Sequence, residues 1–141
     1  MEKRRSPVRR LAGALIEATS ALSALAALCS AAFACELPPG VRVESGRVAL
    51  SYWTIPASIP VGKPFVLELA VCPTQDAALS GRIKLDAHMP EHRHGMNYRI
   101  KVIPLMDGRY RSEGWLFHMP GRWEFVFDLG AERLTHGVRI E

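Results

Sequence analysis

Histidine and methionine are concentrated in two short stretches of this 141-residue chain, residues 88–96 (HMPEHRHGM) and residues 117–120 (FHMP). The stretches hold four of the five histidines and three of the four methionines that follow the initiator, namely His88, His92, His94, His118, Met89, Met96 and Met119. Residues that only fill a core do not group along a chain in this way. These seven side chains are therefore a candidate metal-binding set.

Copper is the metal that this set of donors fits best. Thioether sulfur is a soft donor that selects Cu(I), and imidazole serves both copper oxidation states. Zinc sites are usually built from Cys, His or carboxylate, whereas calcium and magnesium need oxygen donors. Because a His-x-His pattern is by itself a weak signal, a metal-free histidine-rich loop that caps the core is the alternative.

A predicted hairpin turn joins the two stretches. Asp107-Gly108 is a strong two-residue turn signal, because both residues tolerate the positive φ of a type I′ turn. With that loop Met96 faces Met119, and with one more loop residue and a bulge at Gly108 it faces His118. Either register predicts that the two stretches meet at one end of a sheet.

Short β-rich segments closed by turn residues make up most of the chain after position 40. Their predicted bounds are 47–55, 64–72, 82–87, 98–105, 109–117, 123–129 and 134–140. None is separated from the next by enough chain for a long helix. This spacing predicts an all-β fold, an immunoglobulin-like β-sandwich of about seven strands that follows an N-terminal signal segment.

Residues 1–34 are predicted to be a signal peptide. A basic start precedes an Ala- and Leu-rich stretch from Leu11, and Ala32-Phe33-Ala34 fits an A-x-A cleavage site. An uncleaved membrane anchor is the alternative, although Glu17 inside the apolar stretch is unfavourable in a bilayer. Both interpretations place the domain, residues 35–141, in the periplasm or another extracytoplasmic space, in contact with a membrane only through the N-terminal segment.

The net charge of +4 belongs to this leader rather than to the domain. Of the 18 basic and 14 acidic residues, five basic and two acidic ones lie in the first 34 positions, which leaves 13 and 12, a net of +1. The domain has no run of Lys and Arg that could neutralise a phosphate backbone. Nucleic acid is therefore excluded as the main partner.

Cys35 and Cys72 are the two cysteines that remain when the leader, which contains Cys29, is removed. An even pair in an oxidising compartment predicts a structural disulfide that ties the N-terminal arm to a strand end. Neither cysteine has a histidine close by in sequence, as a catalytic thiol would. Copper ligation by the two thiols is the minor alternative.

The strings DAHMPEHRHGMNYR and GWLFHMPGRWEFVFDL, on either side of the Asp-Gly turn, resemble the YtkA-like family of small exported sandwich domains related to FixH-type proteins. The resemblance covers residues 48–140. It implies a role in copper handling or in the assembly of respiratory or other redox proteins. By motif it marks the same seven positions, His88, Met89, His92, His94, Met96, His118 and Met119. Arg93 departs from the pattern, in which a small residue such as glycine is expected.

These observations predict an exported copper-binding protein, a chaperone or a buffer that would serve the assembly of a redox protein. The alternative is a metal-free interaction module that docks on an envelope redox complex, through a sheet edge or through Tyr52 and Trp53 as exposed aromatic residues. No nucleophile elbow, phosphate-binding glycine loop or acid/base pair of carboxylates is evident in the sequence. We therefore do not expect an enzyme.

Overall fold

The computed structural model describes residues 35–73, 82–130 and 132–141. The predicted signal peptide or anchor, residues 1–34, lies outside the described residues. The described residues belong to a compact unit that runs over Ala34–Glu141. Within them, no helix is suited to crossing a bilayer.

In the described part of the chain, nine strands form two antiparallel sheets. They are β1 (Val41–Glu44), β2 (Val48–Ile55), β3 (Pro64–Pro73), β4 (Lys84–Met89), β5 (His94–Gly95), β6 (Lys101–Pro104), β7 (Arg109–Leu116), β8 (Gly121–Asp128) and β9 (Arg133–Ile140). The first sheet has the order β1-β2-β3-β7-β6 and the second has the order β5-β4-β8-β9. Without β1, this is the A-B-E-D and C′-C-F-G arrangement of immunoglobulin-like sandwiches, which confirms the predicted fold class.

The core lies between the sheets and is dominated by aromatic side chains. Trp123, Phe125 and Phe127 are fully buried on one face of β8, as the period-2 pattern of that segment predicts. Trp115 and Phe117 meet them from the other sheet, and the ring centres of Trp115 and Phe125 are 5.3 Å apart. These large rings fix the spacing of the two sheets and hold the ends of the strands in place.

Tyr52 is also part of this core, and the expectation that it is exposed for docking is wrong. Only 2% of its surface is accessible, because the alternation of β2 places Leu50 and Tyr52 on the inner face. Its hydroxyl group is hydrogen-bonded to Nδ1 of His136 at 2.7 Å. Trp53 lies on the outer face and is half-buried, with the Arg109 guanidinium 5.6 Å from its ring centre.

The hairpin between β6 and β7 adopts the bulged register, so the two-residue register is wrong. Lys101 pairs with Glu113, and the Leu105 N–H donates to the Arg109 carbonyl at 2.8 Å. Asp107 and Gly108 have φ values of 56° and 69° and supply the left-handed residues that this loop needs. The carbonyl of Gly108 also accepts a 2.9 Å hydrogen bond from the Val71 N–H, and this contact ties the loop to β3.

The ladder of this hairpin does not extend to the histidine-methionine stretches. The predicted strand 98–105 is shortened to Lys101–Pro104, so Met96 faces neither Met119 nor His118 across it. Instead the chain from Met96 to Ile100 crosses from one sheet to the other. It passes so close to β7 that a Cβ on Gly114 would lie 2.5 Å from the Arg99 carbonyl oxygen. The expectation that the β6–β7 hairpin brings the two histidine-methionine stretches together is therefore wrong.

The predicted disulfide between Cys35 and Cys72 is present. It attaches the N-terminal arm to the end of β3. A second link forms where the Ser51 hydroxyl donates to the Pro38 carbonyl at 2.6 Å. The arm is therefore fastened to the outer face of the first sheet at two points before β1 begins.

Candidate metal centre

A tight turn between β4 and β5 places His92 and His94. The His92 N–H donates to the Met89 carbonyl at 3.2 Å, which closes a four-residue turn with Pro90 at its second position, where proline is favoured. The ladder then resumes with Met89 opposite His94 and His88 opposite Gly95. The local sequence therefore builds a hairpin within one sheet that carries both histidines.

Arg93 lies in the turn of this hairpin, between His92 and His94. Its φ is 53°, in the left-handed region that glycine adopts more easily. Glycine would adopt this backbone conformation at a lower energetic cost than arginine. The left-handed residue also means that His92 and His94 are not neighbours on an extended strand, yet their ring centres lie 5.8 Å apart.

Trp123 holds His118 beside His94. Its indole N–H donates to the Met119 carbonyl at 3.1 Å, which anchors the segment between β7 and β8. Its ring stacks on Phe117 at 4.3 Å and makes edge contacts with His118 at 5.4 Å and with His94 at 6.0 Å. One buried indole thus orients an imidazole from each of the two stretches.

The ring centres of two histidine pairs lie within the range of separations that a shared metal ion allows. A metal–nitrogen bond of about 2.0 Å and a distance of about 1.2 Å from nitrogen to ring centre place each ring centre about 3.2 Å from the ion. Two rings bound to one ion therefore have centres about 5.2 Å apart at a tetrahedral angle, and about 6.4 Å apart when they lie on opposite sides of the ion. The ring centres of His94 and His118 are 5.2 Å apart. Those of His92 and His94, at 5.8 Å, also lie within this range.

His94 is prepared to coordinate through one particular nitrogen. Its Nδ1 lies 3.3 Å from the Gly95 carbonyl oxygen, so the tautomer that donates this hydrogen bond leaves a lone pair on Nε2. His94 is half-buried, whereas His92 and His118 are exposed. The pair formed by His94 and His118 therefore combines a fixed donor with an accessible one.

His88 and Met89 are placed away from these rings by the alternation of β4. His88 faces outward, where its Nε2 is 3.4 Å from Oε1 of Glu124. Met89 faces inward and is completely buried, and its Cε occupies the space that a side chain on Gly121 would need. The structure thus does not bring these two candidate ligands to the histidine cluster.

Met96 and Met119 flank the histidine cluster along the chain and pack against the core. Both are half-buried and contact the core residues at this end of the sandwich. Met96 is held by the hydrogen bond from its N–H to the Ala87 carbonyl at 3.1 Å. Met119 is next to His118 in sequence, Met96 is two residues from His94, and both side chains are partly accessible.

A closed site of the structural zinc type is not formed by the described residues. Among residues 35–73, 82–130 and 132–141, no three side chains of His, Cys, Asp or Glu come together closely enough to hold a metal ion. What the described residues provide is two pairs of neighbouring imidazoles, His92 with His94 and His94 with His118. Such a set fits a soft ion that accepts few ligands better than it fits zinc.

Trp123 is a residue beside the candidate site that the sequence interpretation did not assign to it, and Gly121 lies two residues before it. Gly121 has a φ of 128° and admits the Met89 side chain, while Trp123 orients the two imidazoles. The string HMPGRW contains both residues directly after the second stretch. The position of both residues directly after His118 and Met119 was the feature of the sequence that could have indicated their place beside the site.

No protein-family profile, no curated protein and no solved structure matches this chain.

Proposed function

We propose that this protein is an exported copper-binding protein, a chaperone or buffer, that holds Cu(I) between the imidazoles of His94 and His118. A thioether from Met96 or Met119 supplies a third donor. The observation that carries this proposal is the 5.2 Å separation of the two rings, both in contact with Trp123. Such a protein would deliver copper to a respiratory or other redox protein during its assembly.

The donor set supports copper over other metals. Two imidazoles and a thioether satisfy Cu(I), whereas the absence of a third His, Cys, Asp or Glu at the described cluster disfavours zinc. His92, whose ring is 5.8 Å from that of His94, does not join His94 and His118 in a three-residue group, so the proposed copper site uses two imidazoles. The disulfide supports an oxidising compartment, where such an ion would be met.

The exposure of the site supports transfer or storage rather than catalysis. His118 is exposed, so an incoming ligand from a partner can reach the ion and replace this imidazole. His94 stays fixed through its Nδ1 contact and through Trp123. An ion held in this way can be exchanged without unfolding of the domain.

Competition with a Cu(I) chelator under anaerobic conditions tests the proposal. We expect affinity tighter than about micromolar for the metal-free protein, and a loss of about tenfold or more in the His94→Ala, His118→Ala double variant. His88→Ala is the matched control, because His88 belongs to the same stretch but faces Glu124. Its affinity should stay within about twofold of the wild type.

Tryptophan fluorescence provides a second readout of the same site. Cu(II) quenches indoles at short range, and Trp123 contacts the rings of both His94 and His118. Quenching should saturate with one ion and be lost in the double variant. Copper affinity weaker than micromolar, or equal affinity in the double variant and the wild type, would refute the proposal.

A further inference from the structure

The pair formed by His94 and His118 is incomplete for any metal ion that requires four ligands. Within the part of the chain that the structure describes, no third His, Cys, Asp or Glu side chain joins the two in a metal-binding group. Zinc is almost always four-coordinate and tetrahedral in closed protein sites, where its ligands are imidazoles, thiolates and carboxylates. A single chain therefore supplies half of the donors that such a zinc site needs.

The spacing of this pair is that of two neighbouring corners of a tetrahedron. The ring centres are 5.2 Å apart. For an ion about 3.2 Å from each ring centre, this separation corresponds to an angle of about 109° at the ion. Neighbouring imidazoles of a square-planar ion would have ring centres only about 4.5 Å apart. The observed separation thus fits one half of a tetrahedral site.

The coordination positions opposite this pair face away from the core. Trp123 contacts the rings of both His94 and His118 and is fully buried, so it closes the inner side of the pair. On the outer side, residues 90–93 of the β4–β5 turn are exposed, and so are His118 and Pro120. The remaining positions of a bound ion are therefore open to ligands from another molecule.

A second copy of this chain can supply the two missing donors. Most closed oligomers have two-fold symmetry, in which the same surface patch of both copies meets itself. A two-fold axis through the ion can place the second pair of imidazoles opposite the first, and four nitrogens then complete the tetrahedron. The charges of the turn are self-complementary, because Glu91 and Arg93 are both exposed and neither takes part in an ion pair among the described residues. The acid of each copy can thus face the base of the other.

We propose that zinc links two copies of this protein through a shared site, formed by His94 and His118 of each copy. One ion is bound per two chains. The surfaces that meet around the ion are a single turn and the segment before β8, which is small for a stable protein interface, so the dimer depends on the ion. Its formation does not require that the protein binds copper.

Titration of the metal-free protein with zinc chloride, followed by light scattering after size-exclusion chromatography, tests this proposal. We expect a monomer without metal, a twofold rise in mass that is complete at about half an equivalent of zinc, and a return to the monomer when a chelator is added. Cobalt(II) in place of zinc should produce the same dimer and the intense visible absorption of a tetrahedral site.

Variants of single histidines show whether these imidazoles hold the two copies together. His94→Ala and His118→Ala should each abolish the twofold rise in mass. His88→Ala is the matched control and should dimerise like the wild type, because His88 faces Glu124. A protein that binds no zinc, that stays monomeric with zinc bound, that dimerises without zinc, or whose dimer survives His118→Ala would overturn the proposal. Copper affinity is measured separately and without zinc, so each of the two proposals can fail without the other.

Discussion

Replacing both Cys35 and Cys72 by alanine is expected to lower the free energy of unfolding by about 4 kcal/mol. The bond joins residues 37 positions apart. Closing a loop of that length in the unfolded chain removes about 13 cal/mol/K of entropy, which is about 4 kcal/mol at 25 °C. In the folded state the arm keeps its hydrogen bond from Ser51 to the Pro38 carbonyl, so the main effect falls on the unfolded chain.

Urea denaturation followed by circular dichroism measures this loss, and a thermal scan should show a melting temperature lower by about 15 °C or more. The reduced wild-type protein is the control and should match the double variant, because both lack the same cross-link. A loss below about 1 kcal/mol would contradict the reasoning, since the unfolded chain would then already be constrained near these residues.

Two further predictions concern buried polar groups in the core. Ser112→Ala should lower the free energy of unfolding, measured by urea denaturation, by about 2–5 kcal/mol, because the hydroxyl accepts a hydrogen bond from the Trp115 indole N–H and donates one to a β3 carbonyl, and both partners would be left unpaired. Ser58→Ala, at an exposed bend, is the control and should leave the stability unchanged. An equally small loss of stability in both variants would refute the argument. Burial raises the pKa of Tyr52 above its ordinary value of 10.0, so the folded state keeps this proton when the unfolded chain loses it. The resulting stabilisation is complete below about pH 10 and is lost as the pH rises further. When the free energy of unfolding is measured against pH, the Tyr52→Phe variant should lack this decline. The same decline in the variant and in the wild type would refute the prediction.

The extent to which the fold could be predicted depends on how local its determinants are. The aromatic residues of β8 occupy every second position, so the burial of Trp123, Phe125 and Phe127 on one face follows from the period of a pleated strand. The turn at Asp107-Gly108 was likewise predicted from two residue types. Its register was not, because the hydrogen bond between Val71 and Gly108 comes from a strand more than 30 residues away.

The candidate site was predicted in part, and for a different reason from the one that operates. The two stretches do meet at His94 and His118. They meet because a hairpin inside the second sheet and the segment before β8 lie side by side, not because the β6–β7 hairpin extends to them. His88 and Met89 were included because of their neighbours in sequence, and a strand sends adjacent side chains to opposite faces.

Residue types and their periods alone determined that this chain forms β-strands with an apolar inner face and that imidazoles and thioethers are concentrated in two stretches. Local sterics and hydrophobic patterning act over a few residues, so they can be read without coordinates. Tertiary structure decided which of those donors come together, because the crossing of the chain between the sheets at residues 96–100 and the anchoring by Trp123 depend on packing between distant strands.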